Sequence, residues 1–167
     1  MRTTLLALII AALLAIPPSD RVRAQTAINS CGDPASPYAE VDLGKGVAHL
    51  DLLLARTEAE REQGLMFVQN MPPDTGMLFI YTAQSSEAYW MYHTLIPLSI
   101  AWIDHDGTIV DIQDMPVLKD PNDMAEAAQT VYSPRAPYWY ALEVNEGWFL
   151  QHGVGVGQQM SFCLGGS

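Results

Sequence analysis

Three apolar motifs that contain methionine follow one another in the middle of the chain: Gly64-Leu65-Met66, Gly76-Met77-Leu78-Phe79 and Trp90-Met91-Tyr92-His93-Thr94-Leu95-Ile96-Pro97-Leu98. The first motif ends a helical pattern, because Thr57 and Glu60 have capping-box spacing and Gly64 is a C-terminal stop. The second motif begins a strand over residues 76–81. The third motif mixes aromatic, imidazole, hydroxyl and proline groups, which core packing does not fully explain. We therefore look there first for a site.

Strand patterns surround this stretch on both sides. Residues 41–54 read as two strands about the Gly44-Lys45-Gly46 turn, and residues 99–103 and 108–112 flank Asp104-His105-Asp106-Gly107. Asp-Gly favours a tight hairpin because glycine accepts the positive φ that such a turn requires. Residues 138–144 and 159–164 read as further strands.

Helical patterns are fewer and shorter. One helix is predicted after Thr57, and Asn145 is expected to cap another that runs through Gln151. The polar residues 82–87 are expected to form a connection. Residues 115–130 are expected to form an irregular excursion with one helical turn at residues 123–128. The sequence therefore predicts a mainly β (α+β) fold, a compact single domain that is barrel-like or sandwich-like with two short helices.

The start of the chain has the pattern of a secretory signal peptide. An apolar run from Leu5 to Ile16 follows Arg2, and small or aliphatic residues precede a cleavage position after Ala24. Twelve apolar residues are too few to span a bilayer, which takes about 20. We predict a signal peptide at 1–24, a flexible leader at 25–38 and one domain at 39–165. The protein would then be periplasmic or secreted, with no membrane insertion after the signal is removed.

The charge of the chain is strongly acidic. The formal net charge is −11, and loss of residues 1–24 leaves five basic and eighteen acidic side chains, a charge of −13. Such a surface repels phosphate backbones and anionic lipid headgroups. We therefore predict no nucleic-acid partner.

The chain contains two cysteines, Cys31 and Cys163, near the two ends of the predicted mature protein. An oxidising compartment favours a disulfide between them, and the chain-entropy model gives such a long loop about 4 to 5 kcal/mol. Two buried free thiols are the alternative. Lipidation of Cys31 is disfavoured because the residues before it lack the usual pattern.

The order and spacing of the three motifs resemble those of the DUF192 family, whose members carry Gly-Leu-Met, Gly-Met-Leu-Phe, Trp-Met-x-x-Thr and Pro-Leu in that sequence. The resemblance extends over about residues 41–162 and includes Asp106-Gly107, Tyr132 and Leu142-Glu143. It implies a small, mainly β domain with no established activity. Ser99 and Gln158 stand where the family usually has aspartate, which disfavours a shared catalytic chemistry.

The third motif supplies the candidate ligand-binding residues Trp90, Met91, His93 and Thr94. His93 and Thr94 could form hydrogen bonds with the backbone where the chain bends before Pro97. Alternatively, they could line a pocket that has Trp90 and Met91 as its floor. Our first hypothesis is a module that binds an unknown small molecule or protein through this cleft.

An acid/base enzyme is the alternative hypothesis, with His93 and Glu143 as the candidate catalytic residues. Glu143 lies in the strand pattern Tyr140-Ala141-Leu142-Glu143-Val144, which is otherwise built for burial. A carboxylate there is expected to find a partner such as Thr94, His93 or a backbone amide. We do not predict an enzyme as the first choice.

Metal chemistry ranks third. No histidine pair has zinc spacing, and the aspartates near Gly107 do not match a calcium loop, so we predict no metal site and no cofactor. Seven methionines remain after processing, and in an exported protein thioethers can capture Cu(I). A periplasmic copper carrier is therefore a second alternative, although methionine is also an ordinary core residue.

Overall fold

The computed structural model describes residues 37–42, 44 and 46–164. The predicted signal peptide, nearly all of the leader, Cys31 and residue 165 lie outside the described residues. Within them the fold is mainly β, and the predicted fold class is confirmed. The elements in chain order are β1 (Tyr38–Asp42), β2 (Val47–Ala55), α1 (Glu58–Gln63), β3 (Thr75–Ser85), β4 (Tyr89–Trp90), β5 (Leu98–Ile103), β6 (Ile109–Met115), α2 (Met124–Gln129), β7 (Val131–Tyr132), β8 (Tyr138–Asn145), α3 (Trp148–Gln151) and β9 (Met160–Cys163).

Seven strands form one sheet in the order β6-β5-β8-β3-β2-β1-β9, and β4 pairs with β7 separately. Strands β2 and β3 run parallel, and the other neighbours in the large sheet are antiparallel. The two edge strands meet at one end, where Thr108 and Gln159 form a bridge and the Ile109 amide donates to Gln158 O at 2.9 Å. The sheet is therefore curled into a half-barrel.

The Asp-Gly hairpin between β5 and β6 forms as the sequence predicts. Gly107 has φ +89°, and the Asp104 amide donates to Thr108 O at 2.8 Å. A Cβ added to Gly107 would overlap the carbonyl oxygen of Met160, at the start of β9. Glycine is therefore needed both for the turn and for its close approach to β9.

Helix α1 has the predicted capping box. Thr57 Oγ1 accepts from the Glu60 amide at 3.2 Å, and the Glu60 carboxylate accepts from the Thr57 amide at 2.8 Å. No α1 residue is buried, so packing of the helix itself stabilises it little. Arg61 attaches it to the sheet, because its Nη1 donates to Ile80 O at 3.1 Å and its guanidinium lies 4.8 Å from the centre of the Tyr81 ring.

Two predicted boundaries are wrong. Asn145 does not cap a helix; it ends β8, and its side-chain amide donates to Met71 O and Pro72 O at 3.2 and 2.9 Å. Helix α3 follows Gly147 instead. Residues 82–85 are not a connection but continue β3, because the register shifts after Ile80 and Ser85 pairs with β8 again.

The described residues contain three helices, so the predicted count of two is also wrong. Helix α2 lies where the sequence predicts one helical turn, at residues 123–128, and ends one residue later, at Gln129. Asp123 caps it by accepting from the amides of Ala125 and Glu126 at 2.8 and 3.1 Å, and Ala127 packs into the core. Capping and one buried alanine thus give this acidic segment more order than its composition indicates.

Both faces of the half-barrel are covered by apolar side chains. One face packs against α3 through a cluster that includes Leu50, Leu78, Leu142, Trp148 and Phe149. The other face carries Phe79, Met91, Ile100, Trp102 and Tyr138. Several residues of the second cluster border an open cavity.

Candidate functional site

A cavity of about 530 Å³ opens on the second face of the sheet. Helix α1 and the turn after it form one wall, β3 and β8 form the floor, and β4, Tyr92, Thr94 and Met124 form the rest. Its volume lies in the range of small-molecule sites, about 300 to 1,000 Å³. We name it the Glu143 cavity after the acidic residue on its floor.

Glu143 occupies a central position in the sheet. It lies on β8, directly opposite Met77 on β3 and Ile100 on β5. Directly opposite residues in antiparallel strands project from the same face, so the carboxyl emerges between two apolar side chains. Glu143 is 5% exposed, and the burial that its sequence context indicates is confirmed.

The Glu143 carboxyl has no protein partner. No hydrogen bond or ion pair reaches it from any residue in the described part of the chain, so the predicted pairing with Thr94, His93 or an amide is wrong. Burial raises the pKa of this carboxyl from its ordinary 4.5 to about 8. At pH 7 the group is therefore mostly protonated, a neutral acid facing an open cavity.

Tyrosine side chains form the aromatic part of the wall. Tyr81 Oη lies 3.0 Å from Tyr89 Oη, and Tyr138 Oη lies 3.4 Å from Tyr81 Oη and 3.0 Å from Glu87 O. Burial raises the pKa of Tyr89 and of Tyr138. The Tyr89 and Tyr138 hydroxyls therefore remain protonated, and the hydrogen bonds among the three tyrosines hold their rings in place.

Trp90 and Thr94 line the cavity as the binding hypothesis requires, but they differ in exposure. Trp90 pairs with Val131 across the small sheet and is 42% exposed, whereas Thr94 is buried. The Thr94 hydroxyl donates to Tyr92 O at 3.4 Å, a long hydrogen bond. Tyr92 lies between them and also borders the cavity, with its ring centre 5.8 Å from that of Trp90.

Met91 and His93 point elsewhere. Met91 is fully buried in the core, and neither residue borders the cavity. His93 has φ +55°, its amide donates to Pro121 O at 2.8 Å, and its carbonyl accepts from the Phe67 amide at 2.8 Å. Its ring stacks on Tyr92 at 3.8 Å. His93 thus joins three loops through its backbone, and no hydrogen bond or ion pair links its imidazole to Glu143 in the described residues.

Charged side chains at the cavity are mostly acidic. Glu58 and Glu62 on α1 and Glu87 before β4 join Glu143 in the lining, and Arg61 is the one basic residue among the lining residues. Arg61 already donates to Arg56 O and Ile80 O and stacks on Tyr81. The balance of formal charge around the cavity is therefore negative.

The methionines divide between the core and the cavity. Met71, Met77, Met91, Met115 and Met160 belong to the two apolar clusters. Met66 and Met124 line the Glu143 cavity. Within residues 37–42, 44 and 46–164, no group of three or more His, Cys, Asp or Glu side chains is placed to hold a metal ion.

A second cavity, of about 350 Å³, lies beside α3. Trp148 Nε1 donates to Asp74 Oδ1 at 3.0 Å, and His152 stacks on Trp148 at 4.2 Å. His152 Nδ1 lies 2.9 Å from Trp148 O. Asp74, Trp148 and His152 therefore have polar partners, unlike Glu143.

The sequence patterns did not identify several residues that line the cavity. Tyr81 and Tyr89 read as ordinary strand aromatics, and Glu58 and Arg61 as exposed faces of a capped helix. The only available sign was a charged residue in an apolar strand, which indicated Glu143 and not its surroundings.

The fold and cavity define a class of small, mainly β half-barrel domains. The profile of the DUF192 family, described as an uncharacterized ACR, matches residues 40–162. The chain belongs to this family. No curated protein matches the chain.

Two solved structures share the fold. A protein from Sinorhizobium meliloti 1021, described as a candidate transcription regulator, is 30% identical, with a TM-score of 0.66 over 76% of this chain and 92% of its own. A protein of unknown function from Novosphingobium aromaticivorans DSM 12444 is 27% identical, with a TM-score of 0.65 over 75% of this chain and 83% of its own. No helix within the described residues is both long enough and apolar enough to cross a membrane.

Proposed function

We propose that this protein is a binding module that holds a small molecule, or a side chain of a partner protein, in the Glu143 cavity. The observation that carries the proposal is the buried carboxyl without a partner on the floor of an open cavity. A desolvated polar group without a hydrogen bond destabilises the fold by about 1 to 3 kcal/mol. A ligand that pairs with Glu143 would recover this free energy as affinity.

Methionine methyl groups offer a direct test. Met66 and Met124 line the cavity, whereas Met160 lies in the cluster on the other face of the sheet. We expect some members of a chemically mixed fragment library to shift the methyl resonances of Met66 and Met124 and to leave Met160 unchanged. A library that moves neither cavity methionine at millimolar concentration would refute the proposal.

Compounds that copurify with the protein provide a second measurement. Trp90→Ala removes an exposed part of the cavity wall, and Trp139→Ala is a matched control because Trp139 makes an edge-to-face contact with His105 and does not line the cavity. Mass spectrometry should detect less of the bound compound with Trp90→Ala than with Trp139→Ala. Equal recovery from both variants would contradict the assignment of the cavity.

An acid/base enzyme is the second candidate, and the observation that favours it is the pKa of Glu143 near 8. A general base functions best with a pKa near the working pH. Because His93 does not border the cavity, this candidate now depends on Glu143 alone. It predicts turnover that Glu143→Gln abolishes.

A copper carrier remains the third candidate, since Met66 and Met124 both line the cavity. Two thioethers are a soft ligand set suited to Cu(I). Metal analysis of protein isolated from the periplasm tests it, and stoichiometric copper would place this candidate first.

The proposal includes export to the periplasm or medium, which the pattern of residues 1–24 supports. The description of the Sinorhizobium protein as a candidate transcription regulator would imply DNA binding if it applied here. The net charge of −11 argues against it, because binding the phosphate backbone takes clustered basic residues. Sequencing the N-terminus of the mature protein after cell fractionation tests export, with Gln25 as the expected first residue.

A further inference from the structure

We propose that the ligand of the Glu143 cavity is an organic cation, a primary alkylammonium group on an apolar body, which donates to the Glu143 carboxylate while its body packs on the aromatic wall. This inference rests on the proposed binding function and names its ligand class. It follows from three features of the cavity: its acid without a partner, its charge and its aromatic lining.

The first feature is the chemistry that Glu143 lacks. A carboxylate is an acceptor only, and no residue in the described part of the chain donates a hydrogen bond to Glu143. A primary ammonium supplies three N–H donors and an opposite charge, and charge-assisted hydrogen bonds are about twice as strong as neutral ones. An alcohol or amide ligand would supply donors without the charge.

The second feature is the charge of the lining. Glu58, Glu62 and Glu87 surround the cavity together with Glu143, and the guanidinium of Arg61 is engaged with two backbone carbonyls and the Tyr81 ring. Acids around a cleft raise the local concentration of cations, and the acidic chain as a whole acts in the same direction. The same negative charge would repel an anionic ligand.

The third feature is the aromatic surface. Tyr89, Trp90 and Tyr92 line the cavity, and Phe79 contributes a further ring. Aromatic faces attract cations, and they also bury the apolar part of an amine. With Trp90 partly exposed at the cavity, the ligand can be a free amine or the side chain of a lysine in a partner.

Release of the Glu143 proton on binding is a measurable consequence of the proposal. The other ionisable groups that face it are Glu58, Arg61 and Glu62 from α1, Tyr81 from β3, Glu87 and Tyr89 from the β4 region and Tyr92 from the loop after it. No histidine is among the lining residues. Binding an ammonium requires the ionised carboxylate, so a ligand that arrives protonated should displace the proton of Glu143.

The test uses four probes of similar shape: 2-phenylethylamine, 2-phenylethanol, 3-phenylpropanoate and trimethyl(2-phenylethyl)ammonium. We expect the primary amine to bind about tenfold or more tightly than the alcohol, because the charge-assisted bond is lost in the alcohol. The quaternary cation should bind less tightly than the primary amine, since it keeps the charge and loses the donors. N-acetyl-lysinamide binding more tightly than 2-phenylethylamine would identify a lysine side chain as the source of the ammonium.

Calorimetry in two buffers of different ionisation enthalpy measures the proton. With the pKa of Glu143 near 8, binding of the amine at pH 7 should release most of one proton, and the affinity for the amine should rise severalfold from pH 6 to pH 7. Glu143→Gln should lose the proton release and the preference for the amine. Glu146→Gln, at an exposed acid that does not line the Glu143 cavity, should keep both.

The outcomes separate the two proposals. Tighter binding of 3-phenylpropanoate, or equal binding of the amine and the alcohol, would overturn the cation inference while the cavity still binds ligands. Amine binding that leaves Met66 and Met124 unshifted would also overturn it, because the site would lie elsewhere. If no probe and no fragment bound, the binding function itself would fail.

Discussion

Replacing Glu143 with glutamine should stabilise the fold at neutral pH, and the gain should increase with pH. The folded protein holds the Glu143 proton up to about pH 8, whereas the unfolded chain releases it near 4.5. Between these values the unfolded chain binds fewer protons, so the free energy of unfolding of the wild type decreases as pH rises, and it levels off above pH 8. Glutamine has nearly the same shape and no proton to lose.

The magnitude follows from the two pKa values. Each pKa unit corresponds to about 1.4 kcal/mol, so this one group should lower the stability of the wild type by about 2 to 3 kcal/mol between pH 5 and pH 7. Other ionisable groups contribute equally to wild type and variant. The difference between the two proteins therefore isolates Glu143.

Urea unfolding at pH 5, 6, 7 and 8 measures this difference. Glu143→Gln should unfold at a higher urea concentration than the wild type at pH 7, and the gap should be smallest at pH 5. Glu146→Gln is the control, because it makes the same chemical change at an exposed position and should keep the pH profile of the wild type. Parallel profiles for the wild type and Glu143→Gln would refute the claim that this carboxyl is buried without a partner.

The remaining predictions concern the fold. Gly107→Ala should lower the free energy of unfolding by about 2 kcal/mol or more in chemical denaturation, because its positive φ and its close approach to β9 both exclude a side chain, whereas Gly155→Ala should change it little. His93 has φ +55°, a conformation that valine disfavours and asparagine accepts. His93→Val should therefore lower the free energy of unfolding by about 1 to 2 kcal/mol, and His93→Asn should lower it clearly less. Equal thermal midpoints for the two variants would contradict the backbone role of His93. If Cys31 and Cys163 are bonded, intact mass should rise by about 2 Da on reduction, and replacing both by serine should cost up to about 4 to 5 kcal/mol in denaturant unfolding.

The disulfide stays a prediction, and the position of Cys163 permits it. Cys163 is buried near the end of the chain and lies opposite Tyr38, at the start of β1. The seven residues from Cys31 to Tyr38 can span at most about 25 Å. The mass measurement decides the question, since Cys31 lies outside the described residues.

Local rules predicted the local features of this fold. The capping box of α1 and the Asp-Gly hairpin depend on residues within four positions of each other, and both form as the sequence indicates. The predictions that are wrong depend on distant partners. Asn145 looks like a helix cap until its amide is seen to donate to the loop at Met71 and Pro72, more than 70 residues earlier.

The candidate site was also predicted only in part, because its residues come from distant parts of the chain. A charge in an apolar strand pointed to Glu143, and an aromatic motif pointed to Trp90 and Thr94; the structure brings these three residues to one cavity. His93 lies in the same motif, but its backbone is in the left-handed region and it does not border the cavity. The expected partner of Glu143 does not exist within the described residues, because the strands beside it present only Met77 and Ile100.

Helix α1 separates the selectivity of the cavity from the stability of the domain. The helix contributes Glu58, Arg61 and Glu62 to the cavity wall and buries no residue of its own. Substitutions there change what the wall recognises without opening a hole in the core, whereas substitutions on the sheet face do both. New binding preferences can therefore evolve in this fold by changes on one short surface helix, while the half-barrel and its buried acid stay constant.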